Sequence, residues 1–447
     1  MILVTVLTAF VPFNVQLDHP GDQDGKGAGI VDSVCIAVAT SPLDASGNTQ
    51  ILLASYDGQG GLLWTDSIHW GVSSEALSVQ PWSGGVLLAG SWTGSASGLN
   101  GVVTALDGSG NEAWTYLLEL SGTERLTAAA EGTDGGIVCV GSTTSEGAGG
   151  NDLLIVGLDG EGLFQWRKTY GTSGEEAAYH VSPCDDGGFF IVGQAMDWGA
   201  GLGDYWALRI DGAGDTLWTG TYGGPEFDYP WRGAQCGDGY VVAGNTLSYG
   251  SGSYDWWVLR LDSAGGMLWD AVWGGHGTDS NMALTLRDGL PVVAGVGEIE
   301  GSGFLSAVVV FDEGEPVEEW LYDPGIVRSI ATLPGGGFLM SGTGIGDEGD
   351  IAVRCVAADG GTPPLGIGAA TEPGPLPSVL PNPAAGCVSV TMPGGAGTIR
   401  VYDLTGRLAA EVTATDGTAV LDVSGLPEGV YAAVVTGGNA VRFTVVR

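Results

Sequence analysis

Five acidic residues recur at one place in the chain and are the first candidates for chemistry. Glu75, Glu124, Glu176, Asp228 and Asp279 follow Trp64, Trp114, Trp166, Trp218 and Trp269 by 11, 10, 10, 10 and 10 residues. Carboxylates gathered at one end of a fold can bind a hard cation such as calcium, or a cationic ligand. The simpler reading is that each accepts local backbone N–H bonds and fixes a turn. Recurrence favours the simpler reading, because a catalytic site breaks symmetry and this set keeps it. A sixth copy has Arg328 in the neighbourhood and no acid. A second set, Asp152, Asp204, Asp255 and Asp350, follows Gly/Ser loops that lack the alternating Asp/Asn run of an EF-hand, and turn chemistry accounts for it.

The elements that must position these acids come from a repeated phrase, a turn followed by a tryptophan. Leu106-Asp-Gly-Ser-Gly110 precedes Trp114, Leu158-Asp-Gly-Glu-Gly162 precedes Trp166, and Ile210-Asp-Gly-Ala-Gly214 precedes Trp218. Variants precede Trp64, Trp269 and Trp320, so the tryptophans step by 50, 52, 52, 51 and 51 residues. A fixed period of this size marks a repeat architecture. Within one period, Glu75–Trp82, Val86–Trp92, Val102–Leu106 and Ala113–Leu118 read as strands separated by Gly-Gly, a loop and Asp-Gly-Ser-Gly. Four antiparallel strands per repeat make a propeller blade. Second strands are counted at Val34–Thr40, Val86–Trp92, Ile137–Thr143, Phe189–Ala195, Tyr240–Thr246, Pro291–Gly297 and Phe338–Thr343. The expectation is all-β: a seven-bladed β-propeller over residues 1–361, with six- and eight-bladed rings still open. The last repeat lacks its tryptophan, and the apolar stretch Met1–Phe13 is expected to supply the missing strand. That stretch lacks a basic leader and a clear cleavage site, so an export signal is expected to be missing or already removed. The first acid of each repeat opens the innermost strand, which places all five at one mouth of the channel.

Composition narrows the function classes. The net charge is −38, and residues 373–447 hold four Arg against five acids, a net of −1, so −37 falls on the remainder. Such a surface repels nucleic acid, favours solubility and attracts cations. No run of 18 apolar residues occurs, so no transmembrane helix is expected. The six cysteines form no CxxC pair, although Cys184 and Cys236 occupy matching places in adjacent repeats and invite a disulfide. The four histidines are scattered, and no G-x-S-x-G, H-E-x-x-H or P-loop is present. Exposed tryptophans such as Trp92, Trp198 and Trp231 can stack on sugars, although a Trp at a strand or turn is more often core or interblade packing.

Residues 362–377 are dense in Pro and Gly and read as a linker. Residues 378–447 alternate as six short strands, the pattern of a small immunoglobulin-like β-sandwich. This segment resembles the C-terminal sorting domain, type A, of the bacterial type IX secretion system. The resemblance rests on Pro381-Asn382-Pro383, on Ile399–Arg407 with Gly406, on Leu421–Tyr431 with Gly429 and Tyr431, and on the terminal Phe443–Arg447. Leu380 stands where the family often has an aromatic residue. The resemblance implies export to the outer cell surface or medium, with the secretion translocon as partner.

The repeats resemble secreted propellers that precede such domains. The phrase Ala105–Trp114 is similar to the tryptophan-docking motif of quinoprotein propellers, which implies that Trp64, Trp114, Trp166, Trp218, Trp269 and Trp320 pack between blades. The paired adjacent cysteines of the quinoprotein enzymes are missing. The expected function is a monomeric, non-catalytic binding or scaffold module for a glycan or protein ligand. No cofactor is expected, and calcium is the one ion the acids suit. The alternatives are an extracellular glycan-active hydrolase or lyase with channel-mouth carboxylates, and a quinoprotein-like redox enzyme. An enzyme should show non-repeating polar residues converging on the axis, with Phe227–Arg232 the place to look.

Overall fold

The computed structural model describes residues 13–17, 24–299 with breaks at 32–33, 43–47 and 95–97, and 303–344 with breaks at 323–324 and 334. It further describes 351–358, seven strands between 378 and 445, and residue 426. Every regular element among these is a β-strand.

Seven four-stranded antiparallel sheets form the propeller. Blade 1 holds β2 (Asp24–Val31), β3 (Val34–Pro42), β4 (Thr49–Asp57) and β5 (Leu62–Ile68). Blade 2 holds β6 (Ser73–Trp82), β7 (Gly85–Thr93), β8 (Leu99–Asp107) and β9 (Glu112–Leu118). Blade 3 holds β10 (Glu124–Glu131), β11 (Ile137–Thr143), β12 (Asp152–Leu158) and β13 (Phe164–Tyr170). Blade 4 holds β14 (Glu176–Pro183), β15 (Phe189–Ala195), β16 (Asp204–Ile210) and β17 (Thr216–Tyr222). Blade 5 holds β18 (Asp228–Cys236), β19 (Gly239–Thr246), β20 (Asp255–Leu261) and β21 (Met267–Trp273). Blade 6 holds β22 (Ser280–Arg287), β23 (Leu290–Ile299), β24 (Gly303–Asp312) and β25 (Glu315–Tyr322). Blade 7 takes β26 (Gly325–Thr332), β27 (Phe338–Gly344) and β28 (Ile351–Val356) from one end of the repeat region and β1 (Phe13–Leu17) from the other.

The first strand of each blade lies against the first strands of its two neighbours, and β26 lies against β2, so the inner strands close a ring. The closing strand β1 pairs antiparallel with β28, from Phe13 opposite Cys355 to Leu17 opposite Ile351. The ring is thus closed from the N-terminal end, but by the mixed sequence Phe-Asn-Val-Gln-Leu; residues 1–12 of the apolar stretch lie outside the described residues.

Middle strands are covered by neighbouring blades on both faces, so they read as continuous apolar runs. Every residue of β11, β12, β15 and β16 is buried. Packing between blades is therefore the core: Val140 and Ile155 of blade 3 share one cluster with Val181, Ile191 and Trp206 of blade 4. Five cysteines, Cys184 and Cys236 among them, are buried and outside any disulfide, so the bridge suggested by their matched places does not form; Cys387 has no described side chain. Equivalent points on successive repeats are separated by the width of a blade.

The C-terminal segment pairs into a three-stranded sheet of β29 (Ser378–Leu380), β30 (Cys387–Thr391) and β33 (Thr418–Asp422). A four-stranded sheet contains β31 (Gly397–Asp403), β32 (Leu408–Ala414), β34 (Gly429–Val435) and β35 (Ala440–Val445). Pro381, Asn382, Pro383, Gly406 and the linker 362–377 lie outside the described residues; Gly429 and Tyr431 are described as backbone of β34 only.

Candidate functional site

The recurring phrase builds the seam between blades. In five of these turns the aspartate carboxylate accepts two backbone N–H bonds: Asp159 Oδ1 from Glu161 at 3.0 Å and Leu163 at 2.9 Å, Asp211 Oδ1 from Ala213 at 2.9 Å and Asp215 at 2.8 Å. The glycine that ends the turn has positive φ, 80° at Gly214 and 85° at Gly265, which suits a residue without Cβ. From Gly162 to Gly314 this glycine also receives the tryptophan of the preceding blade. A Cβ on Gly214 would sit 2.6 Å from the Trp166 ring, and one on Gly265 2.8 Å from Trp218. Gly162 receives Trp114 in the same way, and Gly314 lies beside Trp269. Trp320 meets Phe338 of the next blade at 5.9 Å between ring centres. Trp64 is half-buried.

Four of the five recurrent acids also serve the seam. Glu124, Asp228 and Asp279 are fully buried and Glu176 is 1% exposed. Each is engaged by its own loops: Thr172 N–H donates to Glu176 at 2.9 Å, Gly224 N–H to Asp228 at 2.8 Å, and Gly275 N–H to Asp279 at 2.8 Å. Ser248 Oγ adds a bond to Asp228 at 2.8 Å, and the hydroxyls of Thr143 and Ser145 donate to Glu124. The second set of acids caps the facing loops, with Ser251 N–H donating to Asp255 at 3.0 Å and Ala200 N–H to Asp204 at 2.6 Å. The two sets approach each other in pairs around a glycine. A Cβ on Gly274 would collide with both Asp255 and Asp279, and one on Gly223 with Asp204 and Asp228. Burial first, with the Asp228 charge adding to it, raises the Asp204 carboxyl; burial likewise raises Asp255, with Asp279 adding. Asp350 lies outside the described residues.

Glu75 stands apart from this set. Its step from the tryptophan is 11 where the others are 10, and the matching residue is Ser74, whose Oγ accepts Trp70 N–H at 2.8 Å. Strand side chains alternate between faces, so a slip of one residue sends Glu75 to the other side. There it meets Lys26 at 3.5 Å and Arg125 at 3.9 Å. The structure therefore does not bring the five acids into one ring. Four are sealed in seams, and one lies at the axis.

The axis is shaped by a feature the sequence reading missed. All seven inner strands carry a β-bulge at the same register, each between the residues flanking Lys26, Leu77, Thr127, Tyr179, Trp231, Met282 and Arg328. A bulge adds one residue to one strand and re-aims its side chain. Opposite six of the bulges the second strand has a glycine, such as Gly141 or Gly244; a Cβ on Gly244 would lie 2.6 Å from Pro230 Cα and overlap the Tyr229 carbonyl. That recurring glycine in the second strand is the sequence signal for the bulge. Four of the seven extra residues meet in pairs across blades: the Tyr179 and Trp231 rings lie 5.4 Å apart, and Arg328 Nη1 lies 2.6 Å from Met282 Sδ.

Unlike the seams, this lining does not repeat. On one side it is ionic, a chain running from Arg328 to Asp24 at 3.3 Å, Asp24 to Lys26 at 2.7 Å, Lys26 to Glu75 and Glu75 to Arg125. Burial alone would raise the Asp24 carboxyl, but the Lys26 hydrogen bond and the Arg328 and Lys26 charges outweigh it and hold it low. On the other side the lining is aromatic: Tyr179 and Trp231, with Phe227, Tyr229 and Tyr254 stacked nearby at 5.8 and 6.0 Å. Exposure falls inward, from 45% at the Asp24 and Arg125 side chains to 25% at Arg328 and 13% at Lys26.

Below the bulges, links between non-adjacent blades cross the axis. Gln80 of blade 2 donates to His180 Nε2 of blade 4 at 3.0 Å, and His180 Nδ1 donates to the Gly233 carbonyl at 3.1 Å. Burial, then the Arg232 charge, pushes the His180 imidazole down to about 3, so it is neutral. Arg232 of blade 5 reaches the Arg328 carbonyl of blade 7 at 3.4 Å. The arrangement is a well open at one mouth and crossed by side chains beneath. Trp92, Trp198 and Trp231 are half-buried rather than exposed, Trp198 against Trp206 at 5.0 Å and Trp231 in the well. Only Trp231 has the axis in reach. His69 and His276 are exposed.

Residues 378–446 match the family described as the secretion system C-terminal sorting domain, which marks the protein for export to the cell surface or secretion. No curated protein matches the chain. Among solved structures, the chain is similar to PorZ of Porphyromonas gingivalis, with a TM-score of 0.42 and 13% identity over 94% of this chain and 70% of that one. PorZ is described as an essential bacterial surface component of the type IX secretion system. The chain is also similar to Sqt1 of Chaetomium thermophilum, with a TM-score of 0.46 and 14% identity over 97% of this chain and 100% of that one. The WD40 propeller domain of Doa1 is similar too, with a TM-score of 0.45 and 14% identity over 76% of this chain and 94% of that one. Among the described residues no helix is long and apolar enough to cross a membrane.

Proposed function

We propose that the protein is a non-catalytic binding module, carried to the outer surface by its C-terminal domain and binding its ligand in the axial well. The observation that supports this most is the contrast in repetition. Seam residues recur from blade to blade, as architecture requires, whereas the bulge positions hold Lys, Leu, Thr, Tyr, Trp, Met and Arg. A site that must recognise one asymmetric ligand breaks the symmetry of its scaffold. The well is concave and half-exposed, and it combines aromatic faces with a few convergent charges, the usual make-up of a ligand site. Glu176, Asp228 and Asp279 are read as seam caps, because their oxygens already accept loop hydrogen bonds. The type IX translocon is the proposed partner of residues 378–447, with the propeller as its monomeric cargo.

A glycan array probed with the full chain tests the reading. Binders should be retained by Leu268→Ser, an exposed position on an outer strand, and lost by Trp231→Ala with an unchanged melting profile. Binding that survives Trp231→Ala, or an array without binders, would contradict it. For export, a chain lacking 378–447 should stay within the cell envelope; unchanged secretion would remove the translocon as partner.

A further inference from the structure

We infer that the axial well takes an acidic saccharide, with the anionic group held between Arg232 and Arg328 and a sugar face laid on the Tyr179–Trp231 rings. This rests on the well being the binding site. Four of the chain's 14 Lys and Arg residues, Lys26, Arg125, Arg232 and Arg328, line the well in a protein whose net charge is −38. They face two carboxylates there, Asp24 and Glu75, so the well is locally positive inside an acidic protein.

The two arginines are the under-partnered ones. Arg232 makes hydrogen bonds to backbone carbonyls, Trp231 at 2.9 Å and Arg328 at 3.4 Å, and meets no carboxylate. Arg328 places one Nη on Asp24 and the other on a thioether, and its buried Nε has no hydrogen-bond partner. The buried indole Nε1 of Trp231 is likewise without a partner. Each of these open positions is a donor. Burial first, with the Arg328 charge adding to it, lowers the affinity of Arg232 for its proton. An anion placed between the two guanidiniums engages both in charge-assisted, bidentate hydrogen bonding.

The adjoining surface says what carries the anion. Tyr179 and Trp231 form a tilted pair that presents flat apolar rings with a polar edge. Tyr179 Oη donates to the buried Gln194 at 3.1 Å, which anchors the ring of the platform. A carboxylate-bearing pyranose offers both an apolar ring face and an anion within one residue, which matches the short step from platform to arginines along one inner strand, Trp231 to Arg232.

The test is calorimetric titration of the full chain with tetragalacturonate, neutral tetragalactose and tetraglutamate at low salt. The uronate should bind at least ~10-fold more tightly than the neutral sugar and the peptide. Arg232→Gln and Arg328→Gln should each weaken the uronate about 10-fold or more, moving it toward the neutral sugar. Arg328→Lys, which keeps the charge but not the fork, should fall between and guards against a folding defect in the glutamine variant. Equal affinity for uronate and neutral sugar would overturn the anion assignment while leaving the well as a binding site. Tetraglutamate binding as tightly as uronate would overturn the saccharide. No binding by any of the three would overturn this inference, and only an empty glycan array as well would overturn the well itself.

Discussion

Each inner strand presents two neighbouring regions, the seam and the axis, and they obey opposite rules. At the seam, Glu176, Asp228 and Asp279 occupy equivalent places and make equivalent bonds to the backbone four residues earlier. At the axis, three residues further on, the same strands carry Tyr179, Trp231 and Met282. The difference shows where a repeat protein can vary. Each seam residue has partners supplied by two adjacent repeats, so changing one member breaks a fit that its neighbours share. The bulge residue hangs off the ladder into the channel, where its neighbours constrain it little.

If the seam is architecture, its residues should govern stability and leave binding alone. Trp166→Ala should cost the most, about 3 kcal/mol, by emptying the dock on Gly214. Gly244→Ala should cost nearly as much, about 2–3 kcal/mol, because the new methyl would overlap the Tyr229 carbonyl and force the bulge to shift. Chemical denaturation of each variant measures both. Asp228→Ala should cost about 2 kcal/mol, since the Gly224 N–H and two hydroxyls lose their acceptor. Glu75→Gln is the sharpest contrast: the Glu75 side chain is 37% exposed and its ion pairs are long, 3.5 and 3.9 Å, so the change should cost less than about 0.5 kcal/mol. A loss for Glu75→Gln as large as that for Asp228→Ala would erase the distinction between the two regions.

The pH dependence gives a smaller effect at the axis. The His180 imidazole is held down to about 3 when folded, against 6.5 for the unperturbed group. The unfolded chain therefore binds the extra proton between those values, so stability is full above 6.5 and falls as pH drops toward 3. Between pH 7 and 5 the wild type should lose about 2 kcal/mol more than His180→Gln. Matching pH profiles would show that His180 is not buried against Gln80 and Gly233 in solution.

Much of the ring was legible in the amino-acid sequence, because turn chemistry is local. Asp-Gly-x-Gly requires positive φ, the tryptophan follows at fixed distance, and the blade period comes directly from both. The sorting domain was legible for the same reason, through motifs around Asn382, Gly406 and Tyr431. The site was not. Its members share a register but no residue type, so no repeat exposes them, and the bulge that aims them is a property of two paired strands. The misplaced Glu75 had one visible warning, its step of 11, and the bulges had another, the glycine that recurs in second strands at Gly90, Gly141, Gly193 and Gly244. Each becomes meaningful only when the alternation of side chains is followed residue by residue across the pair.

The most direct measurement compares two single variants, Asp228→Asn at the seam and Arg328→Gln at the axis, in the same melting and uronate-titration assays. Asp228→Asn should lower the melting temperature and leave affinity within about twofold. Arg328→Gln should weaken binding about 10-fold or more and melt close to the wild type. If affinity instead follows Asp228 and is indifferent to Arg328, ligand recognition lies at the seam, and the division of labour drawn between the two regions is wrong.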